Sequence, residues 1–283
     1  MAERGPALRR LLIPPARAAA WLACAALLAQ TAPASAWGPN GHRLIGEIAW
    51  RGLRPETRHA VRALLPSGRY DTLAEAATWA DTFARERDGY AWLAPLHFVD
   101  VPPDARRVEA GRGCGCVTGA ILEFSDALGD PGRPREERID ALRLVAHLVG
   151  DVHQPLHVSH PDGSGGATVR VLLGGERTQL HRAWDSGFLR LHLSRAGLRW
   201  RPYAIDLERA IPAASRRAWA ASRNPLAWAD ESLALARRHA FRVRSGTALG
   251  PDAVSVAIPV IERRLQQAGV RLAALLDERL AAR

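Results

Sequence analysis

The chain has 283 residues, 39 of them basic and 29 acidic, for a formal charge of +10 at pH 7. Every basic residue is arginine, which excludes chemistry that needs lysine, such as a phosphate-loop lysine, a Schiff base or a lysine general base. A hydrophobic fraction of 47% beside 24% charged residues excludes a disordered chain, and the basic excess points to an anionic partner such as nucleic acid or phospholipid.

Residues 1–36 read as a signal peptide rather than as folded structure. Arg9, Arg10 and Arg17 supply a basic leading region, Ala18 to Ala29 an apolar stretch, and Ala34-Ser35-Ala36 a small-x-small cleavage site. The apolar run is short for a membrane span, so no stable membrane insertion is expected after processing. Cleavage after Ala36 leaves residues 37–283 as one domain beginning at Trp37, either secreted or held in a periplasm. Cys24 leaves with the signal. Cys114 and Cys116 then either close a small-ring disulfide or stay as two thiols, and make a poor zinc site by themselves.

Apolar positions at three- and four-residue spacing predict helices over residues 41–52, 56–65, 71–85, 117–129, 136–152, 225–242 and 253–282. Asn40 or Gly41 begins the first, Asp71 caps the third, and Pro134 and Pro225 stand at helix starts. Residues 101–115, rich in Pro, Gly and Arg, read as a loop. Residues 158–180 carry alternating Thr168 to Leu172 and then Gly174-Gly175, the pattern of a small hairpin. The expected fold is mainly α, a single-domain multi-helix bundle with a small β-hairpin excursion.

The densest chemical signal is His147-Leu-Val-Gly-Asp151-Val-His-Gln-Pro-Leu-His157. His147 and Asp151, four apart, project from one helical face and can grip one ion. Pro155 stops that helix, and His157 can return to the same region from another direction. A second pair at the same spacing follows in His181-Arg-Ala-Trp-Asp185. Upstream lie Asp81, His97 and His42. His59, His160, His192 and His239 read as ordinary core or surface histidines. Imidazole and carboxylate without thiolate suits zinc, with manganese and iron compatible in composition. Eight side chains are too many for one tetrahedral ion and enough for two or three with open positions. Clustered ions of this kind suit phosphoryl chemistry, because they acidify water and stabilise both attacking and leaving oxygens.

In order and spacing the chain resembles the zinc-dependent single-strand-specific nucleases (the S-one/P-one family), whose fold is shared with bacterial zinc phospholipase C. The likeness runs from Trp37-Gly and Gly41-His42 through Trp79-Ala-Asp81 and His97-Phe-Val-Asp100. It continues over His147 to His157, His181 to Asp185, Trp228-Ala-Asp-Glu-Ser232 and Ala268-Gly-Val-Arg-Leu-Ala273. The resemblance implies three zinc ions. Asp81, His97, His147 and Asp151 would hold the first, and His157, His181 and Asp185 the second. The third would rest on His42 and on the amino group and carbonyl oxygen of Trp37, with Asp151 bridging it to the first. It also implies in-line attack on phosphorus by a water held between two zincs. The remaining zinc would stabilise the leaving 3′-oxygen, so that products carry a 5′-phosphate. Asp100 matches an acidic residue near the attacking water, and Phe98 an aromatic on which an unpaired base stacks.

Three positions depart from the family pattern. The basic residue usual three after the Trp-Ala-Asp aspartate is Ala84, leaving Arg85 or Arg87 to pair with Asp100. An asparagine usual after the paired glycines is Ala167, and another, two before the second-site histidine, is Gln179. The expected function is therefore an exported zinc endonuclease for single-stranded RNA and DNA, with 3′-nucleotidase activity on nucleotides. A zinc phospholipase C acting on lipid head groups, and a non-catalytic zinc- or nucleic-acid-binding protein, are the alternatives.

Overall fold

The computed structural model describes residues 37–82, 91–102, 104–158 and 164–281. The chain opens with α1 (Pro39–Gly52), α2 (Pro55–Leu64), α3 (Leu73–Ala76) and α4 (Trp79–Thr82), then a 3₁₀ helix over Ala91–His97. Two long helices follow, α5 (Val117–Gly129) and α6 (Arg135–Val152), and a 3₁₀ turn at Pro155–His157. After the hairpin β1 (Arg170–Leu173) and β2 (Glu176–Gln179) come α7 (Leu180–Arg182), a π-helical turn at Ala183–Gly187, and α8 (Phe188–Arg195). The chain ends with α9 (Trp200–Arg209), α10 (Ala213–Ala221), α11 (Pro225–His239), β3 (Ala248–Leu249) and α12 (Pro251–Leu280).

Proline starts several of these helices. Pro39, Pro55, Pro225 and Pro251 each sit in the first turn, where a missing N–H costs nothing and φ is already helical. Asn224 adds a side-chain cap on Leu226 N, 3.0 Å. In α6, Glu136 and Glu137 fall in the first turn, where acidic charge suits the helix dipole.

The helical bundle packs α5 on α6 and α1 on α12, with α3 and α9 flanking α1 and α10 lying on α12. Leu44, Ile45, Ile48, Leu142, Val145, Ile261, Leu265 and Leu272 are among the side chains sealed at their centre. At the α1–α12 crossing a Cβ on Gly269 would stand 2.4 Å from Ile48 Cγ2 and 2.6 Å from its Cβ, so only glycine lets the helices approach this closely. Gly269→Ala is expected to destabilise by about 1–3 kcal/mol, the usual range for overpacking, as a lower urea midpoint. An unchanged midpoint would mean that the crossing tolerates separation.

Expected and observed elements agree for α1, α2, α5, α6, α11, α12 and the hairpin to within a few residues. Over its described residues, 71–82, the expected helix at 71–85 is instead α3 and α4, residues 83–85 lying outside the described residues, with Thr72, not Asp71, capping α3 through Glu75 N at 3.2 Å. Helices α8, α9 and α10 carry no clear forecast in the sequence. In α10 no residue is fully buried, so its periodic signal is faint. The third strand, β3, pairs in parallel with β1, and two residues of strand leave no alternation to read. The loop at 101–115 carries no regular element among its described residues, and Cys114 and Cys116 form a disulfide at its end. No helix among the described residues is long and apolar enough to cross a membrane.

Candidate metal centre

Three groups of histidine and aspartate converge in the interior: His42 with His147 and Asp151, Asp81 with His97 and His147, and His157 with His181 and Asp185. Within each group one ligand atom per residue lies within 4.8 Å of the others. Seven elements deliver them. α1 carries His42 in its first turns, and α4 carries Asp81. His97 ends the first 3₁₀ helix, and α6 presents His147 and Asp151 one turn apart. His157 ends the turn begun by Pro155, while His181 in α7 and Asp185 in the π-helical turn keep the four-residue spacing. Such π turns interrupt helices mostly at functional sites.

Asp151 is the carboxylate that two of these groups share. Its Oδ2 lies 2.9 Å from His97 Nδ1 and 3.2 Å from His147 Nε2, while Oδ1 lies 3.4 Å from His42 Nε2. One carboxylate thus faces two of the three groups. His42 and His147 stack at 3.9 Å between ring centroids. That stack needs Gly150, since a Cβ there would meet His42 Nδ1 at 2.9 Å.

Backbone carbonyls set the tautomers. His147 Nδ1 lies 2.8 Å from Ala77 O, His157 Nδ1 2.7 Å from His97 O, and His181 Nδ1 2.9 Å from Gly165 O. A carbonyl oxygen only accepts, so in each ring Nδ1 carries a proton and Nε2 is the atom left to face a metal. The His157–His97 bond also ties the third group to the second.

Solvent does not satisfy the inward atoms. His42, His147 and Asp151 are 0% exposed, and His157 and Asp185 1%. His42 Nδ1 and Nε2, Asp151 Oδ1, His157 Nε2, His181 Nε2 and Asp185 Oδ2 are buried with no hydrogen-bond partner. Buried polar atoms are nearly always paired, so a cluster of lone pairs without donors fits a bound cation. The charges agree. Burial pushes the Asp185 carboxyl well above the usual range, although His181 and Gln154 oppose it. Burial also works against an ionised Asp151, yet His147 holds it well below the usual range. His147 is correspondingly raised to about 9, with burial opposing and Asp151 prevailing, whereas burial and then His147 depress His42 to about 4. Interior carboxylates demand positive charge, and a proton on His147 supplies it where a cation does not.

Phe98 is half-buried and Asp100 exposed on the extended segment after His97, with Val99 buried between them and paired with Val158. Arg85, Arg87 and His160 lie outside the described residues. Trp37 is fully buried, and the next residue, Gly38, donates its N–H to Asp185 O at 2.8 Å, which seats this end of the chain beside the second histidine pair. Ala167 and Gln179 are half-buried near His181.

Sequence spacing assigns no role to His153 and Gln154, inside the densest motif. His153 turns away from the cluster. Its Nδ1 bonds Val149 O at 2.7 Å, leaving Nε2 to accept from Arg271 at 2.9 Å. Burial, then Arg264 and Arg271, hold it neutral. Arg264 donates to His153 O at 3.0 Å and Ser232 to Val152 O at 2.5 Å, so carbonyls at the end of α6 are capped from α12 and α11. The signal for this network is two arginines seven apart, Arg264 and Arg271, on the buried face of α12.

A family model described as S1/P1 Nuclease matches residues 37–281. The chain is 32% identical to Endonuclease 4 of Arabidopsis thaliana over 269 residues, covering 85% of this chain and 88% of that protein. It is 34% identical to Nuclease S1 of Aspergillus oryzae over 168 residues, 57% of this chain and 58% of that one. With Nuclease P1 of Penicillium citrinum it shares 33% over 156 residues, 53% and 57% of the two chains. The chain therefore belongs to the S1/P1 nuclease family, and its enzyme class is that of a nuclease hydrolase.

Proposed function

We propose that this protein is an exported trinuclear zinc nuclease that cleaves single-stranded RNA and DNA to 5′-phosphorylated products and removes 3′-phosphates from nucleotides. The observation that carries the metal reading is the set of buried lone pairs without donors, distributed over three His/Asp groups of a chain in this family. The donor set of imidazoles and carboxylates without thiolate fits zinc. Asp81, His97, His147 and Asp151 would hold one ion, His157, His181 and Asp185 a second, and Trp37, His42 and Asp151 a third. Bound zinc supplies Lewis acidity, acidifying water and stabilising charge on phosphoryl oxygens. The chain's other residues would place the substrate. Phe98 would stack an unpaired base, Asp100 would accept a hydrogen bond from the attacking water, and Arg85 would offset charge beside Asp100.

The substrate class follows the family and the names of Nuclease S1 and Nuclease P1. Phospholipase C action and zinc storage have no observation in their favour that the nuclease reading lacks. To test the proposal, the processed protein would be assayed for zinc by elemental analysis, and on single-stranded DNA against phosphatidylcholine. Three zincs with DNA cleavage are expected. Lipid hydrolysis with no nuclease activity would overturn the substrate assignment.

Residues 1–36 would act as a signal, with export to a periplasm or the medium. The two halves of that reading depend on each other, because a free α-amine on Trp37 exists only after cleavage at Ala36. A product carrying one extra methionine before Trp37 is expected to lose one zinc and at least about 90% of activity, since even a partner outside the coordination sphere contributes about 10–100-fold and a ligand no less. Full activity with three zincs would remove Trp37 from the ligand set.

A further inference from the structure

Gln154 is completely buried, directly behind the His157 group, and both ends of its amide are engaged. Oε1 accepts from Leu156 N at 2.5 Å, and Nε2 donates to Asp185 Oδ1 at 2.5 Å. A backbone N–H only donates, so the amide has one orientation: oxygen to Leu156, nitrogen to Asp185. We propose that Gln154 is a positioning residue that fixes the Asp185 carboxylate as a metal ligand and thereby sets the affinity of the His157–His181–Asp185 site.

Asp185 has two oxygens and two tasks. Gln154 occupies Oδ1, while Oδ2 is buried without a hydrogen-bond partner and 3.3 Å from His181 Nε2. The amide therefore leaves one oxygen to the metal and stops the carboxylate from rotating. It does so as a neutral donor, which supports a charged carboxylate in a site that solvent does not reach.

Gln154 is also tied to the rest of the centre through its backbone. Its N–H donates to Asp151 O at 2.9 Å, and its carbonyl accepts from His157 N at 3.0 Å. One residue thus joins the shared carboxylate Asp151 to both His157 and Asp185. The preceding carbonyl, His153 O, is held by Arg264 at 3.0 Å, so this turn is pinned from behind. Partners that orient a metal ligand from outside the coordination sphere typically contribute 10–100-fold to affinity.

The inference rests on the zinc reading of the site, and the experiment separates the two. In the full processed chain, Gln154→Met keeps the length of the side chain and removes both polar ends. Gln154→Glu keeps an acceptor for Leu156 N but sets a carboxylate against Asp185. Zinc per chain would be measured across free-zinc concentrations fixed by a chelator buffer, with cobalt substitution giving a visible spectrum of the site. Wild type is expected to hold three ions. Each variant is expected to hold two as wild type does, with the remaining one weakened roughly 10–100-fold and the cobalt spectrum altered. A purely structural residue would lower the melting temperature of zinc-free and zinc-loaded protein alike; here the gap between them should shrink. If either variant is folded by circular dichroism and binds all three ions with wild-type affinity, Gln154 does not position Asp185. If His181→Asn leaves the stoichiometry at three, the second site itself is misassigned and the inference falls with it.

Discussion

The Asp151→Asn variant is expected to lose nuclease activity roughly a thousand-fold and to keep one of the three proposed ions. The reason is positional. Asp151 Oδ2 approaches His97 and His147, and Oδ1 approaches His42. Asparagine swaps one oxygen for an NH₂ that cannot ligate and removes a full negative charge from an interior rich in imidazole. One of the two groups loses its ligand and the other keeps only a neutral amide oxygen, whereas Asp185→Asn would touch only one group. A metal ion at a phosphoryl centre contributes several kcal/mol of transition-state stabilisation. At 1.36 kcal/mol per tenfold, loss of even one such ion gives the expected thousand-fold or more. The check is elemental analysis beside single-stranded DNA cleavage, with thermal denaturation to show a folded chain. Three ions and a rate near wild type would exclude Asp151 from the centre.

The ligand groups are legible in the sequence because local geometry carries them. His147 and Asp151, like His181 and Asp185, are four apart, and helical spacing alone puts each pair on one face. Convergence is harder. Asp81 and His42 reach two neighbouring groups that share His147, from α4 and α1, which no local period states; only the family's order of motifs assigns them. The π-helical turn at Ala183–Gly187 is invisible for the same reason, since composition does not distinguish it from the α-helix around it. The motif's helix stops at Val152, three residues before Pro155, and the proline starts the next turn instead. The Cys114–Cys116 pairing was open between two states because two cysteines without a partner elsewhere allow both; the structure closes the small ring.

Polar support behind the ligands is the least legible part. Arginine is read from sequence as surface, yet among the described residues of this chain of 39 arginines two are interior. Arg264 is 1% exposed and Arg271 3%. What reveals them is the neighbouring pattern: Ile261, Leu265, Ala268 and Leu272 are buried on the same stripe of α12, so an arginine there must be satisfied internally. Its partners come from positions distant in the chain, Glu231 and Ser232 on α11 and the end of α6, and such pairing has no sequence period.

That support leads to the expectation that Arg264→Met destabilises the protein by about 3–5 kcal/mol, because it leaves buried carbonyls without their donor at about 1–3 kcal/mol each. Every donor of Arg264 is used. Nε bonds His153 O at 3.0 Å, and Nη2 bonds Trp228 O at 3.0 Å and Ser232 Oγ at 2.6 Å. Nη1 bonds Glu231 Oε2 at 2.5 Å and Gln267 Oε1 at 2.7 Å. Burial brings its pKa down to about 10, against the pull of Glu231, so it stays charged near neutrality. Methionine fills much of the volume but leaves two carbonyls without this donor, while Arg271 still holds both oxygens of Glu231 at 2.7 Å. Lysine keeps the charge with three donors on one atom and cannot span partners on three segments, so Arg264→Lys should recover only part of the loss. In a chain of this size the methionine variant should melt roughly 10 °C lower. Urea unfolding of the zinc-free protein isolates the effect from metal binding. A midpoint within error of wild type would show that α12 does not anchor the end of α6. The metal centre would then owe its shape to the ligand helices alone.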